Sequence, residues 1–442
     1  MYISRDIDIA LNEWKDSNNR KPLLLRGVRQ CGKTSAVRHL AEQFVSYVEL
    51  NFDKKPSLYR IFEGDLDVNA IISRIEIEMS VFVNDGETLL FIDEIQACPR
   101  AISALRYFYE DRPGLHVIAA GSLLEFVFGK KDGEEFDFPV GRVRSLFMYP
   151  FSFREFLKGI GNEQLLNYLD RFDVNSGSND FHGKLIDLYK TFLVVGGMPE
   201  AVKEYVSSKS FLKCQDIHRD IILSMIDDFE KYHSKVPADM IRKVFDFAMH
   251  NICSQTKASS AVTGVSAYYF DECVDLLRRA GLLYPVWASS CDKLPLGAVS
   301  KQANKKLLVF DTGIYLTECK LDAAGILSAE VFDEMNKGDV VEMETGLEMI
   351  KYSEAYREAA LFYWYRTGAN AEVDYVLEKK GQIIPVEVKA SGKGSMQSMN
   401  SFMKTHENIP YGIRVSMEDF VSYDNIKVFP VYAVSKIINT RW

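Results

Sequence analysis

The sequence predicts an α/β chain of several domains, led by a parallel sheet. Three observations carry that expectation. "KPLLLRG" (21–27) is a short apolar run closed by glycine, and helical spacing follows it. Two more apolar runs, "TLLFIDE" (88–94) and "LHVIAAGS" (115–122), end in polar residues. Near the other end, "EVDYVLEKKGQIIPVEVK" (372–389) alternates around a Lys-Gly turn, as a hairpin does. Continuous apolar runs suit strands buried on both faces of a parallel sheet.

The chain has 442 residues, enough at ~100–200 per domain for two to four domains. Hydrophobic residues make up 47% and charged residues 26%, which allows a core in each. A net charge of -9 argues against a uniformly basic nucleic-acid coat, though not against a local basic groove. The opening "MYISRDIDIALNEWKD" is charged throughout, and no apolar run approaches the ~18 residues of a membrane span. Seven scattered cysteines, with no CxxC and no HxxxH in the sequence, suggest neither a structural zinc nor a zincin site. A cytoplasmic protein with no membrane partner is expected.

Between the first strand and its helix lies Gly27-x-x-x-x-Gly32-Lys33-Thr34. Glycines let backbone N–H groups turn inward around phosphates, and the helix N-terminus adds its positive end. Gly27, Val28, Arg29, Gln30, Cys31, Gly32, Lys33, Thr34 and Ser35 are the expected nucleotide cradle. Lys33 would reach the β- and γ-phosphates, and Thr34 would offer its hydroxyl to Mg²⁺. Asp93, at the tip of the second apolar strand, would help hold the metal, and Glu94 would deprotonate the attacking water. Ser122 ends the third strand, either as a γ-phosphate sensor or as a plain strand-to-loop serine. Arg142 precedes a strand-like stretch, either as an arginine finger, in cis or from a neighbour, or as a salt-bridged surface residue. Ser152-Phe-Arg-Glu155 reads as a capping box that opens the next helix.

"GVRQCGKTS", "LLFIDEIQ", "VIAAGSLL", "GRV" and "YPFSFREFL", in this order, resemble the prokaryotic AAA-type P-loop ATPases of the group that carries a nuclease-like C-terminal domain. "FLVVGGMPEAV" (192–202) matches that group's helical lid. The resemblance implies an ATP-binding, Mg²⁺-using ATPase, with Lys33, Thr34, Asp93 and Glu94 carrying the nucleotide chemistry. It also implies Ser122 as a sensor, Arg142 as a finger candidate and nucleotide-linked homo-oligomerisation.

Residues 158–235 read mostly as helices, interrupted at Gly196-Gly197 and Pro199. "ADMIRKVFDFAMHNI" (238–252) and "SAYYFDECVDLLRRAGLLYPVWA" (266–288) then give helix, helix and strand, the order of a winged helix. The resembling group has one here, and such a module presents its longer helix to DNA. Between 236 and 306 there are nine Lys/Arg against six Asp/Glu, so a protein contact stands beside DNA as the expected partner.

"GDVVEMETGLEMIKYSEA" (338–355) reads as a helix and "ALFYWYRT" (360–367) as an aromatic strand before the hairpin. Glu387 and Lys389 point to one face of their strand, and the neighbouring strand can bring Asp374 beside them. Close carboxylates invite a divalent cation, and a lysine nearby can help activate a water. The arrangement resembles the PD-(D/E)xK nuclease superfamily. That resemblance implies Asp374 and Glu387 as metal ligands, Lys389 as the motif lysine and Glu342, with Glu344 as the alternative, on the preceding helix. Ala371-Glu372-Val373 departs from it by replacing the proline before the Asp.

The expected architecture is therefore a P-loop ATPase domain (1–160), a helical lid (161–205), a winged helix (206–325) and a nuclease-like α/β domain (326–442). Two functions remain open: an ATPase whose last domain cuts nucleic acid, and an ATP-driven switch whose nuclease-like domain only binds a partner. A metabolic kinase is disfavoured, since the last two segments have no part in one.

Overall fold

A computed structural model describes residues 2–121, 138–176, 179–231, 236–321, 327, 337–366, 368, 371–390, 396–406 and 409–439. Helix α1 (Ile7–Asp16) precedes β1 (Leu23–Arg26), and the loop 27–32 leads into α2 (Lys33–Ala41). There follow β2 (Ser46–Asn51), α3 (Val68–Met79), β3 (Thr88–Asp93), α4 (Pro99–Asp111), β4 (His116–Gly121) and β5 (Arg144–Phe147). Among the described residues these five strands form one parallel sheet in the order β2-β3-β4-β1-β5. Its strands are apolar on both sides because both sides are covered. Leu24, Leu90, Ile92 and Val117 meet the core that α3 and α4 share, while Leu23, Leu25, Phe91 and Ile118 meet the one under α1 and α2. The order reverses at β1, and ligands of open α/β sheets bind at such a switch point, beyond the strands' C-terminal ends.

A run of helices comes next: α5 (Phe153–Gly159), α6 (Glu163–Leu169), α7 (His182–Val195), α8 (Pro199–Ser208), α9 (Phe211–Lys231) and α10 (Ala238–His250). The expected capping box is present: Glu155 N donates to Ser152 Oγ at 3.3 Å, and Ser152 N to Glu155 Oε2 at 2.9 Å. Strand β6 (Thr256–Lys257), helix α11 (Ala267–Arg279), strands β7 (Leu283–Ser289) and β8 (Ser300–Val309), and helices α12 (Thr312–Glu318) and α13 (Lys337–Lys351) follow. The chain continues through β9 (Leu361–Tyr365), β10 (Glu372–Lys379), β11 (Gln382–Lys389), α14 (Gln397–Thr405), β12 (Gly412–Ser416), β13 (Val421–Tyr423), β14 (Ile426–Pro430) and α15 (Val434–Asn439).

Among the described residues, nine strands form a second sheet in the order β13-β14-β12-β11-β10-β9-β7-β8-β6. The hairpin β10–β11 turns at Lys380 and Gly381, both with positive φ, as a two-residue turn between twisted strands requires. The boundary expected between 325 and 326 lies outside the described residues, yet this sheet runs across it, with β7 pairing in parallel with β9. The boundary expected between 205 and 206 falls inside α8. Composition marks motifs; it does not reveal that edge strands of two segments will pair.

Two polar joints tie the lobes together. Asp311 caps α12 through Ile314 N at 3.0 Å and accepts from Gly197 N at 2.6 Å. A Cβ on Gly197 would sit 2.4 Å from Phe151 O, so the Gly-Gly turn is what lets the segment approach this closely. The second joint is on α13: Glu348 accepts from Phe153 N at 3.1 Å, and buried Lys351 bridges Glu344 at 2.9 Å and Glu348 at 3.2 Å.

Candidate nucleotide site and acid cluster

The loop 27–32 lies at the switch point of the first sheet. Gly27, Gln30 and Gly32 all have positive φ, which curls the backbone into a concavity of the kind that holds anions. At Gly27 a Cβ would meet Met148 O at 2.1 Å, because β5 runs directly beside the loop. Lys33 lies buried along the concavity and donates to Gly27 O at 2.8 Å and Val28 O at 2.9 Å. Thr34 Oγ1 donates to Asp93 Oδ2 at 3.0 Å, and Asn51 Nδ2 donates to the same oxygen at 3.2 Å. The hydroxyl and carboxylate expected to meet Mg²⁺ are thus already side by side, next to the lysine expected to meet phosphate. Burial raises the carboxyls of both Asp93 and Glu94 above their ordinary range. Glu94 has a positive φ of 50° and is held by Gln96 Nε2.

Three groups brace this loop from outside. Arg5 donates to Cys31 O at 3.1 Å and to Tyr149 O at 2.7 Å, pairs with Glu155 at 2.9 Å and stacks on Phe151. Arg29, within the loop, pairs with buried Asp228 on α9. On the side of the second sheet, a Cβ on Gly281 would lie 3.1 Å from Val28 N, so the turn after α11 abuts the loop backbone.

The second cluster gathers on the second sheet. Lys306 of β8 reaches Glu342 Oε1 of α13 at 2.8 Å, pairs with Glu372 of β10 and lies 3.8 Å from Asp374 Oδ1. Asp374 Oδ2 accepts from Val388 N at 2.8 Å, and Lys389 holds Glu387 Oε1 at 2.6 Å. The register of β10 against β9 shifts between Val373 and Val376, at Asp374. Such bulges re-aim a side chain beside a site. Burial acts against the Lys306 charge, but Glu342, Asp374 and Glu372 outweigh it and hold its pKa well above the ordinary value. Burial pushes Glu342 up to about 8 and Glu387 up to about 7, and raises Asp374. Among the described residues, Glu342, Glu372, Asp374 and Glu387 meet two cations, Lys306 and Lys389, and protons on the buried carboxyls reduce the imbalance. Glu387 Oε2 is buried without a hydrogen-bond partner among the described residues. Among those residues no three His, Cys, Asp or Glu side chains are arranged to hold a metal.

Residues 19–157 match the AAA domain family. The chain carries an AAA-type ATPase domain. Residues 186–324 and 337–434 match two domains of unknown function, DUF8612 and DUF4143. Among solved structures, a Walker-type ATPase of Pyrococcus abyssi is similar, at 16% identity and a TM-score of 0.43, over 72% of this chain and 95% of that one. The ORC1 protein of Aeropyrum pernix in complex with DNA matches at 12% identity and a TM-score of 0.29, over 73% and 92%. The S. cerevisiae Hsp104–ADP complex matches at 13% identity and a TM-score of 0.28, over 80% and 49%. No curated protein matches the chain significantly.

The AAA domain brings the expected cradle, Gly27 to Ser35, together with Asp93 and Glu94. Ser122 lies outside the described residues. Arg142 stands apart. Arg144 pairs with Leu23 at the start of β1, whereas the loop follows Arg26 at its end. Arg142 is therefore at the opposite end of the strands, bound to Glu110 at 2.7 Å, and does not reach the loop of its own chain. Glu342, rather than Glu344, joins the acid cluster, since Glu344 faces Lys351 at the lobe joint. Arg5, Asp228 and Lys306 were not foreseen. Their partners lie far away in the sequence, and no local spacing signals such pairs. No described helix is long and apolar enough to cross a membrane.

Proposed function

We propose that the chain is an ATP-driven switch: the AAA domain binds and hydrolyses ATP, and the lobes built on the second sheet bind a partner rather than cut nucleic acid. The observation that carries the ATP half is the 3.0 Å pairing of Thr34 with Asp93 beside the folded-in Lys33. Lys33 exchanges two neutral carbonyl acceptors for the β- and γ-phosphates. Thr34 and Asp93 would hold Mg²⁺, which when bound neutralises charge building on the transferred phosphoryl group. Glu94 orients the attacking water and takes its proton, and a carboxyl raised by burial is the stronger base for that task. The Arg29–Asp228 pair and the Gly281 contact supply routes by which a change at the loop reaches α9 and the second sheet.

The order α9, α10, β6, α11, β7, β8 supports a winged-helix reading, and α13 with β9 to β12 a nuclease-like one. Helix α11 exposes Tyr268 and Tyr269 and carries Asp271, Glu272 and Asp275. Lys305 is tied to Asp271, and Arg278 and Arg279 to Asp275, so the cations that could meet a phosphate backbone here are already paired, which favours a protein partner over DNA. The test is nucleotide binding and phosphate release by wild type, Lys33→Ala and Glu94→Gln. Binding should vanish in the first and persist without turnover in the second. Wild-type turnover in Glu94→Gln would remove that residue from the mechanism.

A further inference from the structure

The acid cluster of the second sheet has the composition of a divalent-cation site, but a side chain of the chain itself stands in its middle. Lys306 begins on β8, on the far side of β7 and β9 from the hairpin in the sheet order. Its ammonium nevertheless ends where α13 and β10 converge, 2.8 Å from Glu342, in contact with Glu372 and 3.8 Å from Asp374. We propose that Lys306 is the resident cation of this cluster and occupies the point where a divalent metal would sit, so that the site takes no metal while the lysine is in place.

Three observations support this beyond proximity. The lysine side chain is 1% exposed and lies 5.2 Å from the Tyr363 ring centroid, so its head has no short path to water. A buried ammonium is stable only when paired, and withdrawing it would leave Glu342, Glu372 and Asp374 uncompensated in the interior. By contrast, Lys389 is 27% exposed at the rim and pairs with Glu387. The remaining oxygen of Asp374 accepts from the Val388 backbone. An incoming metal would therefore have to displace a lysine that cannot leave and break a strand-to-strand contact. The inference deepens the reading of the second sheet as a binding lobe and rests on it only in denying metal-dependent cutting there.

The test is manganese binding to the nucleotide-free chain of 442 residues, followed by the electron paramagnetic resonance signal of free Mn²⁺. Wild type, Asp374→Asn and Lys306→Met are compared. All three share the same phosphate loop, so any uptake there cancels. Wild type and Asp374→Asn should take up the same amount of Mn²⁺. Lys306→Met should take up one further equivalent and gain at least ~2 °C in Tm on adding Mn²⁺, because a ligand bound only by the native state stabilises it. One more equivalent in wild type than in Asp374→Asn would overturn the proposal. So would a folded Lys306→Met that gains no metal. If Lys306→Met does not fold, the comparison of wild type with Asp374→Asn still decides. Wild type that binds the extra metal but leaves nucleic acid intact would defeat this inference and leave the switch reading standing.

Discussion

Lys33 and Lys306 are both buried lysines beside carboxylates, and they differ in what they hold. Lys33 donates to two backbone carbonyls, Gly27 O and Val28 O. Lys306 pairs with the carboxylates of Glu342 and Glu372, with Asp374 nearby. The ammonium makes both sets of hydrogen bonds charge-assisted, but only the carboxylates add the attraction of a full opposite charge. A phosphate can take Lys33 from its carbonyls and leave only neutral, easily rehydrated groups behind. Nothing of ordinary strength can take Lys306 without stranding buried negative charge. One lysine is available for a ligand and the other is committed to the fold. Two clusters that look alike as residue lists thus do different things.

The largest expected effect breaks the committed lysine. Lys306→Met should destabilise the protein by about 3–5 kcal/mol in urea unfolding, the usual loss when a buried ion pair is broken on one side. The loss should be larger at pH 8 than at pH 5, where protons can replace the missing cation. ATP affinity should stay within about twofold if the two sites are energetically separate. A loss of ATP binding as large as the loss of stability would erase the contrast.

Next comes the available lysine. Lys33→Ala should lower ATP affinity by at least ~100-fold while leaving urea stability nearly unchanged, since the carbonyls it leaves are neutral and can be hydrated. Calorimetric titration with an ATP analogue measures the first, and unfolding the second.

A smaller effect follows from protonation. Glu342 has its carboxyl raised from 4.5 to about 8, and Glu387 from 4.5 to about 7. Between pH 4.5 and 8 the folded state therefore keeps protons that the unfolded state releases, so stability falls as pH rises through that window. Tm should drop from pH 5 to pH 8, and Glu342→Gln should flatten the slope. A Tm that rises across this range in wild type would show that these carboxyls are not the dominant titrating groups.

The smallest effect concerns Arg142, exposed and paired with Glu110. Arg142→Ala should leave the unfolding midpoint unchanged, as surface ion pairs contribute little. If this arginine serves a neighbouring copy, wild-type turnover per chain should rise with protein concentration, and the variant should lose that rise. Equal concentration dependence in both would remove the trans role.

Much of this was legible locally. The strand–loop–helix around Lys33 follows from an apolar run, glycines and helical spacing. The capping box at Ser152 and the hairpin with its Lys380-Gly381 turn were legible for the same reason: turn and cap chemistry acts over a few residues. Asp374, Glu387 and Lys389 were placed together by alternation and pairing. The central fact about their site was not legible. Lys306 opens "KLLVFDTGIYLT" (306–317), which reads as a strand and turn, and nothing nearby marks it as the cation for acids 36 to 68 residues away. Nor could a domain boundary drawn from motifs foresee that β7 and β9 pair. Arg5 and Asp228 were missed similarly, because each meets the loop from a segment well outside it in the sequence.

The central claim is that one site does chemistry and the other does not. Its most direct measurement is a combined assay on purified wild type and Asp374→Asn with Mg²⁺ or Mn²⁺. ATP hydrolysis is followed together with the integrity of linear DNA, nicked circular DNA and RNA, each with and without ATP. The account predicts phosphate release by both proteins and intact nucleic acid in every lane. Cleavage by wild type that disappears in Asp374→Asn, with ATP hydrolysis preserved, would contradict it.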